Sequence, residues 1–220
     1  MRAAVIDQYG GMPRVDDVVQ LQPSTGQTLV AVKAAALNPL DLHFAAGHHQ
    51  VRPIQFPYIP GFEGVGEVIQ SSVFAVGQRV RFECRPTFAK GGSFAEYTVV
   101  ADAWAFPLPE NVSDGLAAAL GMIGITAWTA LEWRAALHPG ESVLVLGATG
   151  PTGQTAVQAA RLLGASRVVA AGRDTETLAR LREIGADATV EIQTEQSVEA
   201  LAQAFRDALG GQVDVVVDAL

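Results

Sequence analysis

The apolar run Ser142-Val143-Leu144-Val145-Leu146 passes without a break into Gly147-Ala148-Thr149-Gly150-Pro151-Thr152-Gly153, and a helix-forming segment follows. No other stretch narrows the fold as much. A run this short and apolar reads as a strand covered on both faces of a parallel sheet. The glycines are spaced G-x-x-G-x-x-G rather than the commoner G-x-G-x-x-G. They meet the demands of a dinucleotide-binding turn: a tight exit from the strand, close approach of backbone to a diphosphate, and close packing of helix on sheet. The helix start then presents free N–H groups and a partial positive charge to an anion. Pro151 suits the first helical position but has no N–H, so Thr152 and Gly153 have to supply more of the donors. A glycine triplet alone also makes ordinary turns; its place between a buried strand and a helix is what points to dinucleotide binding. Gly147, Thr149, Gly150, Pro151, Thr152 and Gly153 are therefore the first candidate cofactor residues.

Beyond the turn the chain alternates. Thr152–Leu163, Thr175–Ile184 and Glu195–Leu209 read as helices closed by Gly164, Gly185 and Gly210; Arg167–Ala171, Ala188–Ile192 and Val213–Asp218 read as strands between and after them. This order predicts a parallel sheet with right-handed crossovers. The second strand leads into Gly172-Arg173-Asp174. An acid at this strand end holds the ribose diol of NAD, whereas a nearby arginine accommodates a 2′-phosphate. Gly172 and Arg173 accordingly point to NADP(H), with NADPH as the expected cofactor. The plainer alternative makes Arg173 a solvated helix-start residue and Asp174 an N-cap. The sequence stops at Leu220, at the carboxyl end of an apolar strand. Sheets of this kind usually continue, and an apolar strand sits poorly at an edge, so a longer chain is expected.

The first half has different grammar. Met1–Asp7, Thr28–Ala34, Gly64–Ile69, Arg79–Phe82 and Phe94–Val100 are short strand-like runs separated by Pro- and Gly-bearing turns, which predicts a small barrel or rolled sheet. The pattern changes near Asn111. Ser113 or Asp114 reads as the cap of a short helix, and about Gly124–Leu137 as a longer one, so the domains are expected at 1–112 and 113–220. The net charge of −8 argues against nucleic acid and anionic membrane as partners. No run of about 20 apolar residues predicts a membrane span. Cys84 is the only cysteine, which excludes an internal disulfide and a cysteine-built structural zinc site. A cytoplasmic location is the expectation.

Several segments, in this order, resemble those of quinone oxidoreductases and enone reductases of the medium-chain dehydrogenase/reductase family. They are Ala36-Leu37-Asn38-Pro39-Leu40-Asp41, Pro57–Val68, Gly77-Gln78-Arg79-Val80, Gly91–Tyr97, Gly124-Ile125-Thr126-Ala127-Trp128 and the glycine turn. The resemblance implies an α/β chain: an N-terminal GroES-like β-barrel domain, then a Rossmann parallel-sheet domain truncated after its fourth strand. Zinc-dependent relatives carry a cysteine near position 38 and a histidine at position 62; here stand Asn38 and Phe62, neither suited to zinc. Hydride transfer from NADPH to a quinone or an α,β-unsaturated carbonyl is the implied reaction, with an enoyl-thioester reductase or a non-catalytic dinucleotide-binding protein as alternatives. By resemblance Asn38 and Asp41 lie near nicotinamide and substrate, with Asn38 as an amide donor or simply a turn residue. Asp41 is expected to orient its neighbours, because an ordinary Asp is a weak acid donor at neutral pH. His43 stands where several relatives carry an aromatic hydroxyl and is a proton relay or a structural histidine. Thr126 matches the family's nicotinamide-side hydroxyl, or else bonds back to its own helix. His48 and His49 read as solvated, Tyr58 as a rim or core aromatic, and a homodimer is expected of the full-length protein.

Overall fold

Alternation in the first half builds a sheet with one face inward. The computed structural model describes residues 1–48, 55–85 and 91–219, which divide into two units, Met1–Gly121 and Met122–Leu220. In the first unit β1 (Arg2–Val5) pairs antiparallel with β2 (Arg14–Asp17). A five-stranded antiparallel sheet then forms from β3 (Gln27–Ala35), β4 (Glu63–Gln70), β5 (Arg79–Glu83), β6 (Tyr97–Ala101) and β7 (Ala105–Pro107), in the order β6-β3-β4-β5-β7. Val30, Val68, Val80, Phe82 and Val100 point to its core, as the period of two requires. Gly66 lets β4 close on β3: a Cβ there would lie 2.2 Å from the Ala31 carbonyl oxygen. The seven-residue helix α1 (Pro39–Ala45), with Pro39 in its first turn, lies between β3 and β4 in the chain.

Phe94–Glu96, expected as the start of a strand, bonds elsewhere. Phe94 N–H goes to the Pro60 carbonyl, Glu96 N–H to that of Arg2, and the Phe94 carbonyl accepts from Ala4. The register with β3 starts at Tyr97, just after the Glu96 carbonyl accepts from Val32 N–H at 3.0 Å. Gly92 permits the approach, since a Cβ there would meet the Pro60 carbonyl oxygen at 2.1 Å.

The two helices expected after Asn111 form one. α2 (Asp114–Trp128) runs on without interruption as a π-helical turn, Thr129–Arg134. Nothing in the intervening sequence breaks it, because glycine weakens a helix by only about 1 kcal/mol. Asp114–Arg134 is 21 residues long with a mean hydropathy of 1.4 in its apolar window, so by length and composition alone it is able to cross a membrane. The domain cores nevertheless use its apolar side chains. Ala117 and Ala118 pack with Val65, and Ala127 and Leu131 join the core of the second unit.

The second unit carries a parallel sheet of β8 (Ser142–Leu146), β9 (Arg167–Gly172), β10 (Ala188–Glu191) and β11 (Val215–Asp218), in the order β10-β9-β8-β11. Helices α3 (Pro151–Leu162), α4 (Thr175–Ile184) and α5 (Val198–Leu209) connect them. Val143, Val145, Val168 and Ala170 face α3 residues Ala156, Val157 and Ala160 in one core; Leu144, Val169 and Ala171 enter a second core with Val190 and the α5 side chains. Strands β8 and β9 are thus covered on both faces, which explains their unbroken apolar runs. The chain leaves β8 toward β9 and β10 and returns to β11 on the other side. That reversal of strand order opens a crevice at the strands' carboxyl ends.

Cys84 follows β5 and is buried, its Sγ 3.7 Å from Thr98 Oγ1. Burial pushes the thiol up to about 12. A thiolate-seeking disulfide reagent at neutral pH is therefore expected to label the folded protein only at the rate of unfolding, and at once in denaturant. Prompt stoichiometric labelling of the native protein would contradict this burial.

Candidate functional site

The glycine turn is held by its own backbone. Gly147 adopts a φ of 68°, Gly150 N–H bonds its carbonyl at 3.0 Å, and Ala148 N–H bonds the Ala171 carbonyl at 2.8 Å. A Cβ at Gly153 would stand 2.3 Å from the Gly147 oxygen and 2.5 Å from Ala148 Cα. The start of α3 can therefore rest on the end of β8 only with glycine there. Gly150 is the N-cap, Pro151 opens the helix, and no side chain caps it. The first N–H groups of α3 are left free for an anion.

A cavity of about 560 Å³ lies beside the turn, lined by Gly147, Thr149, Gly150, Gly172, Arg173, Ile192 and Ala219. Five of the nine sequence-predicted cofactor residues thus come together around one space. Thr152 and Pro151 stand at the start of α3, whereas Gly153 is buried beneath the turn. Gly172 keeps the cavity side of β9 open, since a Cβ there would meet Thr149 Cγ2 at 2.6 Å. Ile192 and Ala219 are additions by the structure: they are apolar strand-end residues with no chemical signature in the sequence.

Both readings of Arg173-Asp174 find a place. The Asp174 carboxylate accepts from Thr177 N–H at 2.7 Å as the N-cap of α4, and the side chain and backbone N–H of Thr177 together hold its pKa below the usual carboxylate value. Asp174 is therefore committed to its own helix, while the exposed Arg173 lines the cavity.

In the first unit Asn38 and Asp41 are both buried, at the start of α1. Asp41 Oδ2 accepts from the Asn38 backbone N–H at 2.8 Å, one arm of a capping box. Burial raises the Asp41 pKa; the backbone amides of Asn38, Phe62 and Gly61 offset this in part, and Glu63 adds to it. Among the described residues its Oδ1 has no hydrogen-bond partner within 3.5 Å, and neither does the buried Tyr58 hydroxyl, whose pKa burial pushes up to about 12. The Asn38 side chain donates from Nδ2 to Glu63 Oε1 at 2.9 Å. Glu63 Oε2 in turn accepts from Arg81 at 3.0 Å, and Arg81 also pairs with Glu83 at 3.1 Å. Sequence reasoning misses Glu63 and Arg81, since nothing local links positions 38, 63 and 81.

His43 is exposed in the last turn of α1 and stands apart from this buried cluster. Thr126 donates from Oγ1 to the Met122 carbonyl at 2.7 Å, the back-bonded arrangement, and does not line the cavity. His48 is exposed, and His49 lies outside the described residues. Tyr58 is a core aromatic, stacked edge-on with Phe44 and Phe56.

The donor set does not suit zinc. Phe62 packs edge-on against Phe44 at 5.5 Å, and Asn38 is committed to Glu63. Among the described residues no group of three His, Cys, Asp or Glu side chains could hold a metal ion. The turn and cavity do fit a dinucleotide.

Comparison with known proteins agrees with this geometry. Residues 24–110 match the alcohol dehydrogenase GroES-like domain, and residues 151–220 match the model described as zinc-binding dehydrogenase. The second match contains no His or Cys here. Mouse prostaglandin reductase-3 is 33% identical over 211 residues, covering 90% of this chain and 53% of the relative. Mouse quinone oxidoreductase is 36% identical over 180 residues, covering 79% and 53%. The crystal structure of the quinone oxidoreductase from Thermus thermophilus, also solved with NADPH, superposes with a TM-score of 0.80 at 34% identity, covering 98% of this chain and 65% of that one. The chain belongs to the medium-chain dehydrogenase/reductase family, with a GroES-like unit and a Rossmann-type dinucleotide-binding unit. It spans about half the length of the curated relatives it matches.

Two consequences can be measured. Gly153→Ala forces backbone against backbone and is expected to lower the unfolding free energy by about 2 kcal/mol, read in a urea titration; an unchanged midpoint would mean that the turn yields freely. The raised pKa of Asp41 fixes the sign of a second effect. A carboxyl with a raised folded-state pKa contributes most favourably below its ordinary value of 3.8, and that contribution is lost as pH rises through the raised value. The stability difference between Asp41→Asn and the parent should therefore move in the variant's favour as pH rises above about 4, and level off once Asp41 is ionised in the folded state too. A difference that is flat or moves the other way would show that Asp41 is not penalised by burial.

Proposed function

We propose that this chain belongs to an NADPH-dependent, zinc-independent reductase that delivers hydride to a quinone or an α,β-unsaturated carbonyl. The observation that carries this reading is the cavity at the Gly147–Gly153 turn, with Arg173 on its rim and Asp174 turned away to cap α4. The free N–H groups at the start of α3 would hold the diphosphate. Arg173 would pair with the 2′-phosphate, while Asp174, committed to the α4 cap, stands outside the cavity lining. When bound, the nicotinamide supplies the hydride. The acceptor gains that hydride and one proton, and charge building on its carbonyl oxygen needs a hydrogen-bond donor. The Asn38 amide is the donor we assign to that end of the reaction. The names of the relatives, a quinone oxidoreductase and a prostaglandin reductase, support testing both acceptor classes.

NADPH consumption with 1,4-benzoquinone and with a simple enone is expected, undiminished by a zinc chelator. Arg173→Ala should weaken NADPH binding by about tenfold and leave NADH binding nearly unchanged. Loss of all turnover with chelator would overturn the zinc-independent mechanism. Equal effects of the variant on both cofactors would overturn the assignment of Arg173. NADPH binding with no turnover on either acceptor would favour a non-catalytic dinucleotide-binding protein.

A further inference from the structure

Glu63 is the most buried acid in the first unit, at 1% exposure, and its surroundings are built around it. One carboxylate oxygen receives the Asn38 amide at 2.9 Å and the other the Arg81 guanidinium at 3.0 Å. Arg81 lies beside the Phe106 ring, 5.8 Å from its centroid, and is shared with Glu83. α2 contributes by omission: a Cβ on Gly121 would stand 2.0 Å from Glu63 Oε2. Any larger residue there would push out a carboxylate that is tied at both ends. An exposed acid would need none of these provisions. A core acid kept only for packing could be replaced by a hydrocarbon at no loss, because burying a charge is costly even when it is paired.

We propose that Glu63 is a positioning residue for Asn38: it fixes the direction of the side-chain amide, with Arg81 and Gly121 holding Glu63 in place. The inference rests on the function proposed above, in which Asn38 serves as a donor. A carboxylate accepts and does not donate, so the Asn38 atom facing Glu63 is the nitrogen, and the amide cannot turn over without losing the bond. One Nδ2 hydrogen is thereby committed to Glu63. The second makes no hydrogen bond among the described residues and keeps a fixed direction. An amide on a free Asn at a helix start would sample several rotamers; held this way it is preorganised, which is what a donor to developing charge requires.

The test has two readouts. The first is the ¹⁵N–¹H signal of the Asn38 side-chain amide, assigned by its loss in Asn38→Asp. It should be shifted downfield and protected from exchange in the parent. In Glu63→Gln and in Gly121→Ala it should move upfield and exchange faster, while the other core amides stay protected. The second is kinetic. Glu63→Gln should lower kcat with benzoquinone by about 10- to 100-fold with a much smaller change in KM. In a double-mutant cycle with Asn38→Ala, the second substitution should then add almost nothing. An Asn38 signal unmoved in both variants would overturn the proposal. So would fully additive losses of kcat, which would leave Glu63 a merely structural acid. If the parent protein turns over no acceptor, the function reading fails on its own, and the amide signal still decides whether Glu63 sets the Asn38 side chain.

Discussion

The contact between Gly153 and the backbone of Gly147 and Ala148 is the constraint on which the second unit depends. It brings the axis of α3 down onto the end of β8, where no side chain could be accommodated. With α3 seated, Ala156, Val157 and Ala160 meet Val143, Val145 and Val168, and Leu131, Leu178 and Leu181 complete the core. The same contact aims the first N–H groups of the helix past the strand end. Packing and ligand geometry are one requirement here: a residue that loosened the helix would also misdirect the donors. The crevice follows from topology, because β9 and β11 flank β8 on opposite sides.

The first unit solves a different problem. It holds a negative charge in its interior and has to prevent that charge from destabilising the fold. Arg81 offsets the charge of Glu63, Asn38 satisfies its other oxygen, and Gly121 leaves it room. Asp41, three residues from Asn38, is buried, and among the described residues one of its oxygens and the buried Tyr58 hydroxyl have no hydrogen-bond partner. Polar groups left in this state within a core lower stability, and where they cluster a function is the usual reason for keeping them. The concentration of such groups around α1 sets this region apart from the apolar cluster of Val30, Val68, Val80 and Phe82 in the sheet core.

What can be read from the sequence divides along the same line. The phosphate turn is local: its three glycines, the strand before it and the helix after it lie within one stretch, so residue spacing carries the whole inference. Asn38 reads from the sequence as either a turn residue or an amide donor to cofactor or substrate; in the structure it stands at the start of α1 and its side-chain amide goes to Glu63. The partners of that amide are not legible. Positions 38, 63, 81 and 121 are joined by strand register and by a helix packed across the sheet, and such pairings leave no periodic trace. α1 itself goes unseen because seven residues opened by a proline look like a turn. The join between the two expected helices is misplaced for a related reason. Gly121 and Gly124 dilute the apolar pattern of α2, and the reason for one of those glycines is a carboxylate 58 positions earlier in the chain.

Electrostatics connect these features to the proposed chemistry. A chain with a net charge of −8 repels polyanions at long range, yet a dinucleotide carries its charge on a few phosphate groups. Capturing it needs a local reversal of sign rather than a basic surface. In the proposed function that reversal falls to the uncapped start of α3 and to Arg173 at the end of β9. The adjacent Asp174 would cancel Arg173 if it faced the same cavity; as the N-cap of α4 its charge is instead taken up by that helix's own N–H groups. One hydrogen bond in the α4 cap thus keeps Asp174 out of the lining of the cavity, in which Arg173 stands.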